Sequence, residues 1–244
     1  ACVTSFVTVP TFGFGIRPRG PRIFPSRPTS GIMSGVALQR SKTARDAIRI
    51  MSELATEYGY ASTGESMSIS DPREVWIFEI IGKGPGRKGA VWVARRVPDG
   101  YISGHANQAR IRQFPLHDRD HCLYAKDVIS FAREKGYFKG RDEEFSFADA
   151  YAPMTWKSLR VAEARVWKMF RRAAPSARLS IESIKGVPGA PPLPLWIKPD
   201  RKLTGHDVCE ADFNGFANIR ALDATVLHAA PHVANQLRFL GTAN

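Results

Sequence analysis

The sequence predicts an α+β protein in which an antiparallel four-strand meander, over residues 64–106, is flanked by helices. Three observations carry this. Ala44, Ala47, Ile48, Met51, Leu54, Ala55 and Tyr58 recur at spacings of three and four, an amphipathic helical stripe that calls for a sheet to cover. The β-forming runs that follow are joined by links too short for parallel crossovers. Trp76, Phe78 and Ile80 alternate with Ile77, Glu79 and Ile81, so both sheet faces are largely apolar and both require cover.

Taken in order, residues 1–33 carry Pro10, Pro18, Pro21, Pro25 and Pro28 among glycines and arginines. Proline at this density removes backbone donors, so an irregular basic segment is expected, with strand-like composition only from Val3 to Val9. Thr43, with Asp46 three residues on, marks a helix start, and Gly59 marks its end. Strands are expected at Ser66 to Ile69, Val75 to Ile81, Ala90 to Val97 and Tyr101 to His105, with turns at Asp71-Pro72 and Pro98-Asp99-Gly100. Helical signals return at Asp127 to Lys135, closed by Gly136, and at Phe145 to Tyr151. Leu159, Ala162, Val166, Met169, Phe170 and Ala173 then give a second long helix, Trp156 to Ala174. Its other face, with Arg160, Arg165, Lys168, Arg171 and Arg172, reads as a solvated surface. A proline-rich stretch, GVPGAPPLPLWIKPD, follows. The expected organisation is an irregular segment at 1–33, a domain at 34–204 and a tail at 205–244.

Hydrophobic and charged fractions of 43% and 24% are ordinary for a globular chain. No apolar run approaches the roughly 18 residues a membrane helix needs, and no signal peptide is visible. The chain opens on Ala1, which leads us to expect a fragment or a processed product. Three scattered cysteines, Cys2, Cys122 and Cys209, make no disulfide framework, and a reducing compartment fits. The net charge of +12 is uneven: Arg17, Arg19, Arg22, Arg27, Arg40, Lys42 and Arg45 all precede Asp46, the first acidic residue. Such an arm could hold nucleic acid through counterion release. With no stacking aromatics or nucleic-acid motif beside it, a solvated tail is the plainer reading, and no nucleic-acid partner is expected.

Four places carry chemistry. Gly84-Pro85-Gly86-Arg87-Lys88-Gly89 has the G-x-G-x-x-G spacing of a dinucleotide loop, but AVWVARRV follows it. That run is strand-forming, whereas a pyrophosphate site needs a helix N-terminus there, so a loop between strands is expected. His117, Asp118, Asp120, His121 and Cys122, with His206 and Cys209 as further donors, include zinc-binding residue types without the paired spacing, so no metal is expected. Cys2 becomes an activated nucleophile if Ala1 is removed, because the freed α-amino group, with a pKa near about 8, is a suitable base. An incidental cysteine is the alternative. Asn107, flanked by His105, Gln108 and Arg110 past the fourth strand, is either an amide donor placed to hold an oxyanion or a turn-forming residue.

The run from about Val36 to Leu203, roughly two-thirds of the chain, resembles the cysteine dipeptidases of the N-terminal-nucleophile hydrolase superfamily. The resemblance is to the dipeptidase A type, to which the secernins are also related. The resembling residues are ALQRSKTARDAI, YGY with GESMSISDP, the run VWIFEIIGKGPGRKGAVWVARRVPDGYISGHANQARI, then FAREKGYF, FSFADAYAP and LPLWIKPDRKL. The resemblance implies a partial αββα sandwich and hydrolysis of dipeptides with no metal or organic cofactor. It implies an N-terminal cysteine nucleophile, transferred here to Cys2, whose own amino group shuttles the proton. The family's A-N-Q motif matches Ala106-Asn107-Gln108, which gives Asn107 the oxyanion hole, with His105 and Arg110 as neighbours that meet substrate. The family's strands after the nucleophile have no counterpart here, and the tail after about Gly205 departs as well. We therefore expect an incomplete representative with weak or no activity as given. The alternatives are a non-catalytic secernin-like relative and a nucleic-acid binder acting through the basic arm. Oligomeric state and compartment have no signal.

Overall fold

The computed structural model describes residues 9–10 and 28–204. The chain divides into two compact units between Met154 and Thr155.

In the first unit, β1 (Val9–Pro10) and α1 (Ser30–Arg40) both fall inside or across the stretch expected to be irregular. The helix forms because Met33 and Ala37 are one turn apart and both are fully buried, while Thr29 Oγ1 caps it by accepting from the Ile32 amide. Next comes α2 (Ala44–Tyr58), whose start is capped where the sequence indicated: Thr43 Oγ1 accepts from the Asp46 amide at 3.1 Å. Gly59 ends it at φ +88°, a region that favours glycine.

The two helices pack against one face of an antiparallel sheet. Its strands β2 (Gly64–Ser70), β3 (Val75–Gly82) and β4 (Ala90–Arg96) are consecutive and near the expected bounds. Met67, Ile69, Trp76, Phe78, Ile80 and Ala94 point to the helices and meet Met33, Ala37, Ala44, Ile48 and Met51 in one core cluster. Each large side chain buried there contributes about 1.5–3 kcal/mol.

The fourth strand is a correction. Val97 donates to Val75 O at 2.8 Å, and the turn closes with Tyr101 donating to Pro98 O at 3.0 Å. Beyond it, β5 (Ile102–Ser103) lies outside this sheet. The place beside β4 goes to β6 (Cys122–Tyr124), pairing Arg95 with Cys122 and Val93 with Tyr124, so the sheet order is β1-β2-β3-β4-β6. On the sheet face turned away from α1 and α2, polar side chains bond residues 105–111, so this stretch makes its bonds across that face instead of along the edge of β4. The coarse class stands as mixed α+β, an antiparallel sheet flanked by helices.

Two short helices, α3 (Val128–Glu134) and α4 (Phe147–Tyr151), complete this unit. Their aromatic residues gather with the neighbouring segments: Phe147 and Tyr151 rings lie 5.2 Å apart, as do those of Phe138 and Phe145.

The second unit starts with α5 (Trp156–Ser158), continues through a π-helical segment at Leu159–Glu163 and runs on as α6 (Ala164–Ala173). The widened turn adds a residue, and the buried side beyond it includes Ala164 and Trp167, which the sequence stripe omitted. Trp167 packs with Ile184, Leu179, Ile181 and Leu193, and its indole N–H donates to Ser180 O at 3.0 Å. Among the described residues no helix is long and apolar enough to cross a membrane.

Candidate active site

The sheet face turned away from α1 and α2 is apolar at Ile77, Val91 and Val93 but polar in a short row. Register puts Ser66 opposite Glu79 and Ser68 opposite Ile77, so Ser66, Ser68 and Glu79 share this face. Glu79 is completely buried. A carboxylate there is tolerated only if its oxygens find donors.

They do. Glu79 Oε1 accepts from the Arg110 amide at 2.7 Å and Oε2 from the Ile111 amide at 3.1 Å. Three more bonds fasten the same segment. Ser68 Oγ and His105 Nε2 are 3.1 Å apart, Ser66 Oγ donates to Gln108 O at 3.5 Å, and Gln108 Nε2 donates to Ala152 O at 2.6 Å. Arg110, only 7% exposed, turns its guanidinium back, and Nη1 donates to Gly104 O at 2.9 Å. Residues 104–110 thus form a closed loop across this sheet face. Ala106 and Ala109 are buried within it, and Ile111 follows as a fully buried anchor. The α4 end holds the exit: the Phe147 amide donates to Arg112 O and the Ala148 amide to Ile111 O.

Asn107 stands at the middle of this loop, half-buried, at φ +59°. Positive φ is uncommon outside glycine, and asparagine tolerates it best. The bonds of its neighbours hold the backbone on both sides of it, which restricts where the side chain can be presented.

The structure thus brings His105, Asn107 and Arg110 together on one segment. Cys2 lies outside the described residues. The first described residue after it in the sequence is Val9, whose main chain pairs with Ser66. The sequence reading passed over Glu79, Ser66 and Ser68. The available signal was a lone carboxylate in the apolar run VWIFEII.

The remaining places behave differently. The glycine-rich loop joins β3 to β4, with positive φ at Gly84, Gly86 and Gly89, and ion pairs from Lys83 to Asp127 and from Arg87 to Glu134 tie it to the α3 region. Asp118 caps its own turn, accepting from the Asp120 and His121 amides, and His121 Nδ1 sits 2.9 Å from its Oδ2. Among the described residues no three His, Cys, Asp or Glu side chains converge as a metal site; His206 and Cys209 lie outside those residues. Burial pushes the Cys122 thiol up to about 12, with Arg95 opposing, so it is a structural rather than a reactive thiol.

Comparison with known proteins gives the following. The family model of peptidase family C69 matches residues 13–220. A probable dipeptidase of Latilactobacillus sakei is 28% identical over 176 residues, 72% of this chain and 34% of that protein. A probable dipeptidase of Salmonella dublin is 26% identical over 141 residues, 58% of this chain and 31% of that protein. A probable dipeptidase A of Streptococcus pyogenes serotype M3 is 28% identical over 178 residues, 72% of this chain and 35% of that protein. The chain spans about a third of the length of the curated relatives it matches.

Proposed function

From the premise that the chain belongs to peptidase family C69, we propose that it provides the oxyanion-binding part of a cysteine-type dipeptide hydrolase of the N-terminal-nucleophile kind. The observation that carries this reading is the loop tied across the sheet face turned away from α1 and α2, with Asn107 at positive φ at its midpoint. The names of the relatives, probable dipeptidases, supply the substrate class.

In the proposed reaction, removal of Ala1 exposes the α-amino group of Cys2. That amine takes the thiol proton, and Sγ bonds to the scissile carbonyl carbon while the Asn107 side-chain amide donates to the developing oxyanion. The proton passes to the leaving amine as the C–N bond breaks. Water then hydrolyses the thioester, and Cys2 recovers its proton. His105 and Arg110 border the same loop and would contact substrate. The residues used need no metal or organic cofactor.

The test is dipeptide hydrolysis by the purified full chain after removal of Ala1, verified by mass spectrometry. Cys2→Ser is expected to abolish turnover. Asn107→Ala is expected to lower kcat by about 10²–10³-fold, the usual cost of one oxyanion donor. Turnover unaffected by either change would sink the reading.

A further inference from the structure

We propose that Glu79 is the positioning residue for Asn107, setting from the middle of the sheet the conformation in which the loop presents its amide to a substrate carbonyl. This rests on the reading of Asn107 as the oxyanion donor.

In an extended strand, consecutive amides point to opposite sides. Here the amides of Arg110 and Ile111 both aim at one carboxylate. The backbone is therefore turned at this point, three residues after Asn107, and cannot continue as a strand beside β4. Arg110 is held twice over, by its amide on Glu79 and by its guanidinium on Gly104 O, which closes the loop whose midpoint is Asn107. The grip comes from β3, the strand flanked on both sides by pairing to β2 and β4. It is the central strand of the five in this sheet. Ser66 and Ser68 add bonds to Gln108 O and His105 from the same face. A buried carboxylate in an apolar strand is costly to keep for packing alone, since an apolar residue of similar volume would serve there. Each of its two oxygens accepts an amide from the segment that carries the candidate amide.

Glu79→Gln keeps the shape but turns an NH2 group toward one of the two amides, so one loop bond is lost. Glu79→Asp keeps the charge on a shorter stem and serves as a second variant if the first folds poorly. Two measurements on the full chain, with Ala1 removed, decide the matter. In hydrolysis, Glu79→Gln should lower kcat by about 10²-fold, the cost of a small misplacement, with KM little changed. Combined with Asn107→Ala it should cost no more than Asn107→Ala alone. Losses that multiply would overturn the proposal. In amide hydrogen exchange, Arg110 and Ile111 should lose protection in either variant while β3 and β4 amides keep theirs. Unchanged exchange at Arg110 and Ile111, or loss spread equally through the sheet, also overturns it. If the wild-type chain cleaves no dipeptide, the hydrolysis proposed above is not performed by this chain alone. The positioning role is then decided by exchange together with the side-chain amide NMR signal of Asn107, which should shift in Glu79→Gln.

Discussion

Glu65 shows how a single side chain can make the stability of this protein depend on pH. It is the second residue of β2 at 7% exposure, with Ser30 Oγ donating to Oε1 at 2.5 Å and no partner among the described residues for the buried Oε2. Burial raises its pKa above the usual carboxylate range, with the Ser30 bond opposing. A raised acid favours its protonated form when folded. Its contribution is therefore complete below the unfolded carboxylate pKa and is lost as pH rises through the higher folded value. Glu65→Gln removes that loss. We expect its melting temperature to match wild type near about pH 4 and to exceed it near about pH 8, as read by thermal melts. At the same scale, Asn107 was legible from the sequence as an amide at the end of a strand-rich run. Its positive φ was not, because it belongs to a loop whose tying bonds run to residues distant in the chain, Ser68 and Glu79 among them.

Among the elements, α2 and the β2–β3 turn depend on one carboxylate. Asp71 Oδ1 accepts from the Arg73 and Glu74 amides at 2.8 and 3.0 Å, and Oδ2 reaches the Ala44 amide at the start of α2 at 2.8 Å. Burial works against the charge, but these three amides and the nearby Arg73 charge outweigh it and hold the carboxyl below its usual range. Here the sign is reversed: the stabilisation is present above the unfolded carboxylate pKa and disappears as pH falls through the lowered value. Asp71→Ala leaves two turn amides and a helix-start amide unpaired. It is expected to cost about 1–3 kcal/mol in urea unfolding at neutral pH, with the difference from wild type shrinking in acid. The sequence showed Asp71-Pro72 as a turn and Thr43 as a cap. It did not show that they meet. The strand assignment shows the same limit: alternation located β3 and β4, and β2 was read as a short strand before the Asp71-Pro72 turn, but β6 was hidden in a polar stretch, HDRDHCLY, too short to show a period.

For the whole molecule, the uneven charge remains to be placed. The basic stretch from Arg17 to Arg45 runs into α1 and α2, where Met33, Ala37 and Ala44 are fully buried. Deleting it would remove part of the core along with the charge. Replacing Arg17, Arg19, Arg22 and Arg27 by Gln separates the two effects. We expect the wild-type chain not to be retained on immobilised double-stranded DNA at about 150 mM salt, and the variant to behave alike. Retention that falls away in the variant, with a shallower salt slope, would instead mark the arm as a nucleic-acid surface. The sequence by itself determined what local periodicity and ordered motifs can carry: the capped helix α2, three consecutive antiparallel strands, the mixed class and the likeness to dipeptidases. Tertiary structure alone decided which strand lies beside β4, where residues 104–110 run, and what Glu79 does. Periods of 2 and 3.6 fix which face a side chain takes, whereas a carboxylate's partners depend on which distant backbone amides the fold brings to it.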